Sequence, residues 1–101
     1  MTLEIEKQQQ EEGGRQVYVL RGRLDTNTAP VLEGELALDG VKDVAFDLSG
    51  LDYVSSAGLR VFLAAQKRLM AAGGGVSLLS PNQSVRSVLD MTGLSDVFAI
   101  Q

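Results

Sequence analysis

Segments with the pattern of β-strands alternate along this chain with segments that have helical spacing, and this alternation restricts the folds it can form. Strand-forming apolar residues are concentrated at residues 17–20, 44–48 and 76–79. Apolar residues at helical spacing follow each of these segments. Strand–helix–strand units form right-handed crossovers and parallel sheets. The sequence therefore predicts an α/β fold in which helices pack on a mostly parallel sheet.

The two ends of the chain add further strands to this pattern. Leu3 and Ile5 alternate with glutamates, which predicts a half-exposed strand, and the polar residues 8–14 predict a hairpin turn after it. Residues 97–100 predict a final short strand. We therefore expect one domain over residues 1–101, with a mixed sheet of four to five strands.

Three helices are predicted from the spacing of their apolar residues. A cap at Asn27 or Thr28 begins the first helix, and Gly40 ends it. Gly93 takes the left-handed position that ends the third helix. The predicted apolar residues are Leu32, Leu36 and Leu38 in the first helix, Leu59, Phe62, Leu63, Leu69 and Met70 in the second, and Val85, Val88 and Leu89 in the third.

The composition excludes several kinds of functional site. The 101 residues include no Cys and no His, which removes thiol nucleophiles, Cys/His zinc sites and histidine acid–base catalysis. The formal charge is −4 and the basic residues are scattered, so we expect no direct contact with nucleic acid. No apolar run approaches the roughly 18 residues of a membrane span. A chain without Cys fits a reducing cytoplasm, which is the expected location.

Asp25, Asp47 and Asp52 lie near predicted strand ends, where carboxylates could bind a divalent cation. A metal-dependent phosphoacceptor site would also need an adjacent acidic pair after the first strand and a lysine after a late strand. Residues 8–10 are glutamines, and residues 79–81 are Leu-Ser-Pro. We therefore expect no metal, no cofactor and no catalytic residue in this chain.

Two polar loops are expected to meet at one edge of the sheet. Residues 25–28 follow the second strand, and residues 52–56 follow the third. Loops that leave parallel strands toward their helices gather at the same edge, where open α/β sheets bind ligands and partners. The topology therefore predicts one site that both loops form.

Ser55 and Ser56 precede the second helix and have two interpretations. A serine that caps a helix stabilises it by about 1 kcal/mol relative to alanine. One hydroxyl suffices for capping, so the other would be exposed at the helix N-terminus. Free N–H groups and the helix dipole favour a phosphate there. The local pattern alone therefore leaves open a structural cap and a phosphorylation site.

Three segments resemble the STAS domain family, and in particular its anti-sigma factor antagonists. In chain order they are VLRGRLDTNTAP at residues 19–30, DYVSSAGLRVFL at residues 52–63 and SVRSVLDMTGLSDVF at residues 84–98. The first resembles the family's strand-to-helix segment with its Gly-x-Leu-Asp. The second resembles the family's switch motif, and the third resembles its last helix. The resemblance implies a STAS-like fold over nearly the whole chain.

The switch motif of this family commonly reads Asp-Ser-Ser/Thr-Gly-Leu, and the serine after its Asp is the phosphorylated residue. Alignment on Gly58 and Leu59 puts this phosphoacceptor on Ser56. Ser55 then occupies the position of the family's Asp, and Ala57 that of the second hydroxyl residue. The resemblance thus implies phosphorylation of Ser56, with a changed residue on either side of it.

The resemblance also implies a regulatory binding protein that is not an enzyme. Its partner would be an anti-sigma factor that is also a serine kinase; phosphorylation of Ser56 would release that partner, and a serine phosphatase would reset the switch. The expected partner-binding residues are Asp25, Thr26, Asn27, Ser55, Ser56, Ala57 and Arg60. The alternative with the same fold is a non-phosphorylated scaffold subunit of a stress-signalling or lipid-transport complex.

Addition of Mg²⁺ or Mn²⁺ is expected to leave the melting temperature unchanged, because a ligand raises it only by binding the native state preferentially. Thermal unfolding with each ion and with chelator measures this. A metal-dependent rise in melting temperature would contradict the prediction and favour an enzyme that uses the acidic residues.

Overall fold

Strands and helices alternate as predicted in the computed structural model, which describes residues 2–8, 10 and 14–101. The strands are β1 (Leu3–Lys7), β2 (Gln16–Leu24), β3 (Asp43–Val54), β4 (Gly75–Leu79) and β5 (Ala99–Ile100). The helices are α1 (Ala29–Glu35), α2 (Ser56–Ala71) and α3 (Gln83–Met91), and Leu94–Asp96 forms a short 3-10 helix.

The five strands form one mixed sheet in the order β1-β2-β3-β4-β5. β1 runs antiparallel to β2, whereas β2 with β3, β3 with β4 and β4 with β5 are parallel pairs. The predicted mostly parallel sheet is therefore confirmed. The antiparallel first pair is that of a hairpin, but the turn predicted at residues 8–14 includes residues 9 and 11–13, which lie outside the described residues.

The main core lies between one face of the sheet and the three helices. Tyr18, Phe46 and Phe62 are fully buried there, and Phe46 links the other two rings at centroid distances of 5.8 and 4.8 Å. A smaller cluster on the opposite face contains Val17, Val19 and Ala45. Both faces of residues 17–20 are thus covered, as the continuous apolar run predicted.

Helix α1 is shorter than the sequence predicted. It ends at Glu35, and Leu36 has an extended backbone with φ −77° and ψ 120°. Leu36 and Leu38 still pack against the core, but from an extended segment in which residues two apart can point the same way. The Tyr18 hydroxyl accepts a hydrogen bond from the Ala37 N–H at 3.2 Å, which holds this segment against the sheet. The prediction that Gly40 ends the helix is wrong, because Gly40 lies in a turn beyond it.

Helix α2 and the chain end also differ in detail from the predictions. Met70 is 62% exposed, so its assignment to the apolar stripe is wrong; Val61 and Ala65 are buried on that stripe. A helix turns about 100° per residue, which carries Met70 away from buried Leu69. The predicted final strand is only two residues long, because Val97 keeps helical backbone angles after the 3-10 helix and Phe98 lies in a bend. Gly93 has φ 76°, which confirms the left-handed end of α3.

Gly74→Ala is expected to destabilise the protein, because a Cβ at this position would lie 1.7 Å from the Lys42 carbonyl oxygen. The backbone must shift to relieve this clash, so we expect the free energy of unfolding to fall by about 2 kcal/mol or more. Gly34→Ala is the matched control, since nothing lies within 4 Å of its Cβ and alanine is favoured inside a helix. Urea denaturation measures both variants; equal stabilities would contradict the prediction.

Candidate functional site at the start of helix α2

The loops that follow β2 and β3 lie side by side, as the parallel topology predicted. Leu24 and Val54 are register partners at the ends of the two strands. The Ser55 N–H then donates to the Leu24 carbonyl oxygen at 2.8 Å. Strand β3 is longer than predicted and runs up to Val54. The first three residues of the loop predicted at 52–56 therefore belong to the sheet.

Hydrogen bonds within the 25–28 loop fix its shape. The Asp25 carboxylate accepts from the N–H groups of Asn27 and Thr28 at 2.9 and 3.1 Å. The Thr28 hydroxyl accepts from the Asp25 N–H at 2.8 Å and donates to the Arg23 carbonyl oxygen at 2.9 Å. Thr28 is the N-cap residue of α1, but its side chain makes no cap hydrogen bond and instead holds the loop to the end of β2. The loop therefore presents Thr26 and Asn27 to solvent on a fixed backbone.

The pKa of Asp25 lies below its ordinary value. The Thr28 N–H that donates to the carboxylate is the main cause; partial desolvation opposes it, and the Asn27 N–H, the Thr28 hydroxyl and the positive charge of Arg23 add to the lowering. Asp25 is therefore ionised at neutral pH and contributes a negative charge at the edge of the site.

Arg23 and Tyr53 form a contact beside this loop that sequence analysis did not predict. The Arg23 guanidinium carbon lies 4.2 Å from the centroid of the Tyr53 ring, and Arg23 Nε lies 3.8 Å from Asp25 Oδ2. The Tyr53 side chain is 41% exposed although it belongs to a central strand. An exposed aromatic ring held by a cation is suited to the centre of a protein interface. The only signal in the sequence was a large aromatic residue two positions before the first of the two serines.

The two serines have different environments: Ser55 has the capping role, whereas phosphorylation of Ser56 stays a prediction. Ser55 is the N-cap of α2 with an extended backbone, and its half-buried hydroxyl accepts from the Gly58 N–H at 3.4 Å. Ser56 is the first residue of the helix and is exposed. No group in the described part of the chain hydrogen-bonds the Ser56 hydroxyl. Ser55 thus caps the helix and leaves Ser56 without a structural task.

Gly58 determines how closely the start of α2 approaches the sheet. A Cβ on Gly58 would lie 2.6 Å from Leu24 Cγ and 3.0 Å from Val54 Cγ2. Those two side chains are buried at the ends of β2 and β3. The first turn of α2 is therefore seated directly on the paired strand ends, which fixes the backbone position of Ser56.

A groove of about 460 Å³ between α1 and α2 extends the site along the helices. Ala57 and Arg60 line it on the α2 side, and Thr26 and Glu33 line it opposite. Three of the residues predicted to bind a partner thus line one groove, and the other four adjoin it in the 25–28 loop and at the start of α2. Their binding role stays a prediction. Asp25, Ser55 and Ala57 are half-buried, whereas Thr26, Asn27, Ser56 and Arg60 are exposed.

Asp47 and Asp52, which were also considered as metal ligands, do not form a carboxylate cluster with Asp25. The Asp47 carboxylate accepts from the Ser49 N–H and hydroxyl at 3.0 and 2.8 Å, and Asp52 is exposed on β3. Residues 2–8, 10 and 14–101 contain no group of three Asp, Glu, His or Cys side chains placed to hold a metal ion. In the same residues, no helix has both the length and the apolar character needed to cross a membrane.

The fold and the site define the class of this molecule: a small α/β domain with a capped helix that presents a free serine at one edge of a mixed sheet. The chain belongs to the STAS domain family, whose family model matches residues 4–101. The resemblance predicted from the three segments is therefore confirmed. The expectation of a binding protein also agrees with this family, whose anti-sigma factor antagonists are non-enzymatic regulators.

Individual relatives share much of the chain. BtrV of Bordetella bronchiseptica is 37% identical over 90 residues, which cover 86% of this chain and 78% of that protein. The anti-sigma-B factor antagonist of Bacillus subtilis is 31% identical over 83 residues, covering 80% of this chain and 76% of that protein. The Bacillus anti-sigma factor antagonist SpoIIAA has been solved unphosphorylated and phosphorylated. Its unphosphorylated structure covers 99% of this chain and 88% of its own chain, with a TM-score of 0.79 and 22% sequence identity. Its phosphorylated structure covers 97% of this chain and 91% of its own chain, with a TM-score of 0.74 and 20% sequence identity.

Asp25→Asn is expected to lose stability in a pH-dependent way. Because the folded-state pKa of Asp25 lies below the unfolded value of about 3.9, its ionised form stabilises the fold above that pH, and this contribution is lost as the pH falls through the folded value. The stability difference between wild type and variant should therefore shrink as the pH is lowered below about 4.

Urea denaturation between acid and neutral pH at constant ionic strength measures this difference. Asn27→Ala is the control, since only the backbone N–H of Asn27 contacts Asp25, and it should keep the wild-type pH dependence. A difference between wild type and Asp25→Asn that does not change with pH would contradict the prediction.

Proposed function

We propose that this chain is an anti-sigma factor antagonist whose partner, an anti-sigma factor with serine kinase activity, is released by phosphorylation of Ser56. The observation that carries this proposal is the exposed Ser56 hydroxyl, which has no hydrogen-bond partner in the described chain beside a serine that already caps the helix. A hydroxyl with no structural task at a fixed position can be modified without unfolding the protein.

The relatives support this proposal. The Bacillus subtilis relative is an anti-sigma-B factor antagonist, and SpoIIAA, which has the same fold, is an anti-sigma factor antagonist with a phosphorylated form. In this chain, Ser56 would attack the γ-phosphorus of ATP held by the kinase. The Oγ–P bond forms as the bond to ADP breaks, and the hydroxyl proton passes to a base of the kinase. ATP is thus bound by the partner, and a serine phosphatase would remove the phosphate by hydrolysis.

The charge of the phosphate accounts for release. Phosphorylation adds about −1.5 to −2 charges at neutral pH. Placing this charge inside a contact that excludes water costs several kcal/mol when the partner offers no cation to it. Each 1.4 kcal/mol changes the affinity about tenfold, so a loss of about a hundredfold or more is expected.

The proposed contact surface is centred on Ser56 and is bordered by both loops. Asp25, Thr26 and Asn27 border it on one side, and Ala57 and Arg60 continue it along α2. We add Tyr53 to these residues, because its ring is exposed and is oriented by Arg23. We propose that this surface binds protein and not nucleic acid, and that the chain acts in the cytoplasm as one domain.

Ser55 is the main departure from the family's switch motif, and its position suggests a consequence. Serine caps α2 as an aspartate would, so the helix start is preserved without a negative charge beside the phosphoacceptor. A kinase that recognises this chain therefore cannot use an anionic group at that position. We therefore expect the surface of the cognate kinase that faces Ser55 to differ from that of kinases whose substrates carry the family's Asp.

Ser56→Ala is expected to abolish phosphorylation by the cognate kinase, and Ser56→Asp to keep the fold and weaken kinase binding. Phosphopeptide mapping after incubation with candidate kinases and ATP locates the modified residue, and calorimetry measures binding. Ser55→Ala is the matched control: it should lose about 0.5–1 kcal/mol of stability as a lost N-cap and still be phosphorylated at Ser56.

Two results would contradict the proposal. Phosphorylation that persists in Ser56→Ala would show that the modified residue is another one. Wild-type affinity of Ser56→Asp for the kinase would show that charge does not drive release. Co-purification of the unmodified chain with a transporter ATPase, and with no kinase, would favour the scaffold alternative.

A further inference from the structure

Arg60 stands out among the arginines because no carboxylate of the described residues pairs with its charge. Four arginines of the described chain each have a carboxylate oxygen within 4 Å: Arg21 with Glu6, Arg23 with Asp25, Arg68 with Asp39, and Arg86 with Asp90. Arg60 is exposed and has no such partner in residues 14–101. Glu33 lines the same groove as Arg60, yet the two do not form an ion pair.

The helix places Arg60 next to the Ser56 hydroxyl. The two residues are four apart at the start of α2, which separates them by about 6 Å along the axis and about 40° around it. Side chains in a helix lean toward its N-terminus, so that of Arg60 extends back over the turn that begins at Ser56. Ala57 lies on the groove side of this pair and has only a methyl group.

Among the cations near the start of α2, Arg60 is the one available to pair with an anion on Ser56. Arg23 is engaged by Asp25 and by the Tyr53 ring. Lys67 lies on the same exposed side of α2, but eleven residues from Ser56 and therefore about 16 Å along the axis. Salt screens most of an interaction over that distance, since the Debye length is about 8 Å at physiological ionic strength.

We infer that Arg60 is the internal counter-ion of a phosphate on Ser56. An acidic group four residues before a basic one is the favourable order on a helix, and an arginine can donate two hydrogen bonds to phosphate oxygens. This inference rests on the proposed function. One modification would then change two charges of the contact surface. The phosphate adds an anion, and its pairing with Arg60 makes that cation unavailable to a carboxylate of the partner.

The experiment uses the full chain with phosphoserine incorporated genetically at position 56, so that no kinase is needed. A ³¹P NMR titration measures the second pKa of the phosphate, which is ordinarily about 6. An arginine beside the phosphate favours its dianion and lowers this pKa. We expect Arg60→Gln to raise the proton affinity of the phosphate about two- to fivefold, and Arg60→Lys to raise it less.

Lys67→Gln is the matched control, since it removes the same charge from the same side of the helix. Lys67→Gln should leave the second pKa of the phosphate unchanged. In this control and in the wild-type phosphoprotein, the Arg60 Nε–H resonance should shift as the phosphate titrates. Circular dichroism of each variant checks that the helix is intact.

Equal phosphate titrations in wild type and Arg60→Gln would overturn the inference. Equal changes in Arg60→Gln and Lys67→Gln would overturn it too, because they would show an effect of net charge and not of a specific pair. Neither result bears on phosphorylation by a kinase or on partner release, which the Ser56→Ala and Ser56→Asp experiments test separately.

Discussion

The parallel pairing of β2 with β3 is the interaction on which the candidate site depends. It extends from Gln16 and Val44 to Leu24 and Val54, and the bond from the Ser55 N–H to the Leu24 carbonyl continues it beyond the strands. Because both strands end side by side, the loops that follow them start from adjacent points. A slip of one residue would turn the buried side chains outward, so the apolar core that fixes this register also fixes the site.

Much of this arrangement could be predicted from sequence, because it follows from strong local signals and from topology. The run at residues 17–20 is apolar on both faces, and only a central strand buries such a run. Parallel strands bring their following loops to one edge, so the meeting of residues 25–28 with Ser55 and Ser56 needed no knowledge of side-chain contacts. The pair of serines could be noticed but not assigned, since the choice between cap and free hydroxyl depends on the residue where the helix begins.

The features that could not be predicted depend on competition between tertiary contacts. Leu36 and Leu38 are two residues apart, which suits the same face of an extended segment better than the same face of a helix. The hydrogen bond from the Ala37 N–H to the Tyr18 hydroxyl stabilises the extended form. The contact of Arg23 with Tyr53 requires a register shift between Gly22 and Arg23, and no local pattern specifies that shift. Such details come from which residues face one another across the sheet.

Gly58 has a consequence for how a switch of this kind operates. The first turn of α2 lies so close to Leu24 and Val54 that a Cβ on Gly58 would clash with both side chains, so the helix start cannot move closer to the sheet. In the proposed cycle, the two signalling states then share one backbone and differ only in the chemistry of the surface. The time needed to pass from one state to the other would then be set by the enzymes that act on the serine and not by a rearrangement of this helix.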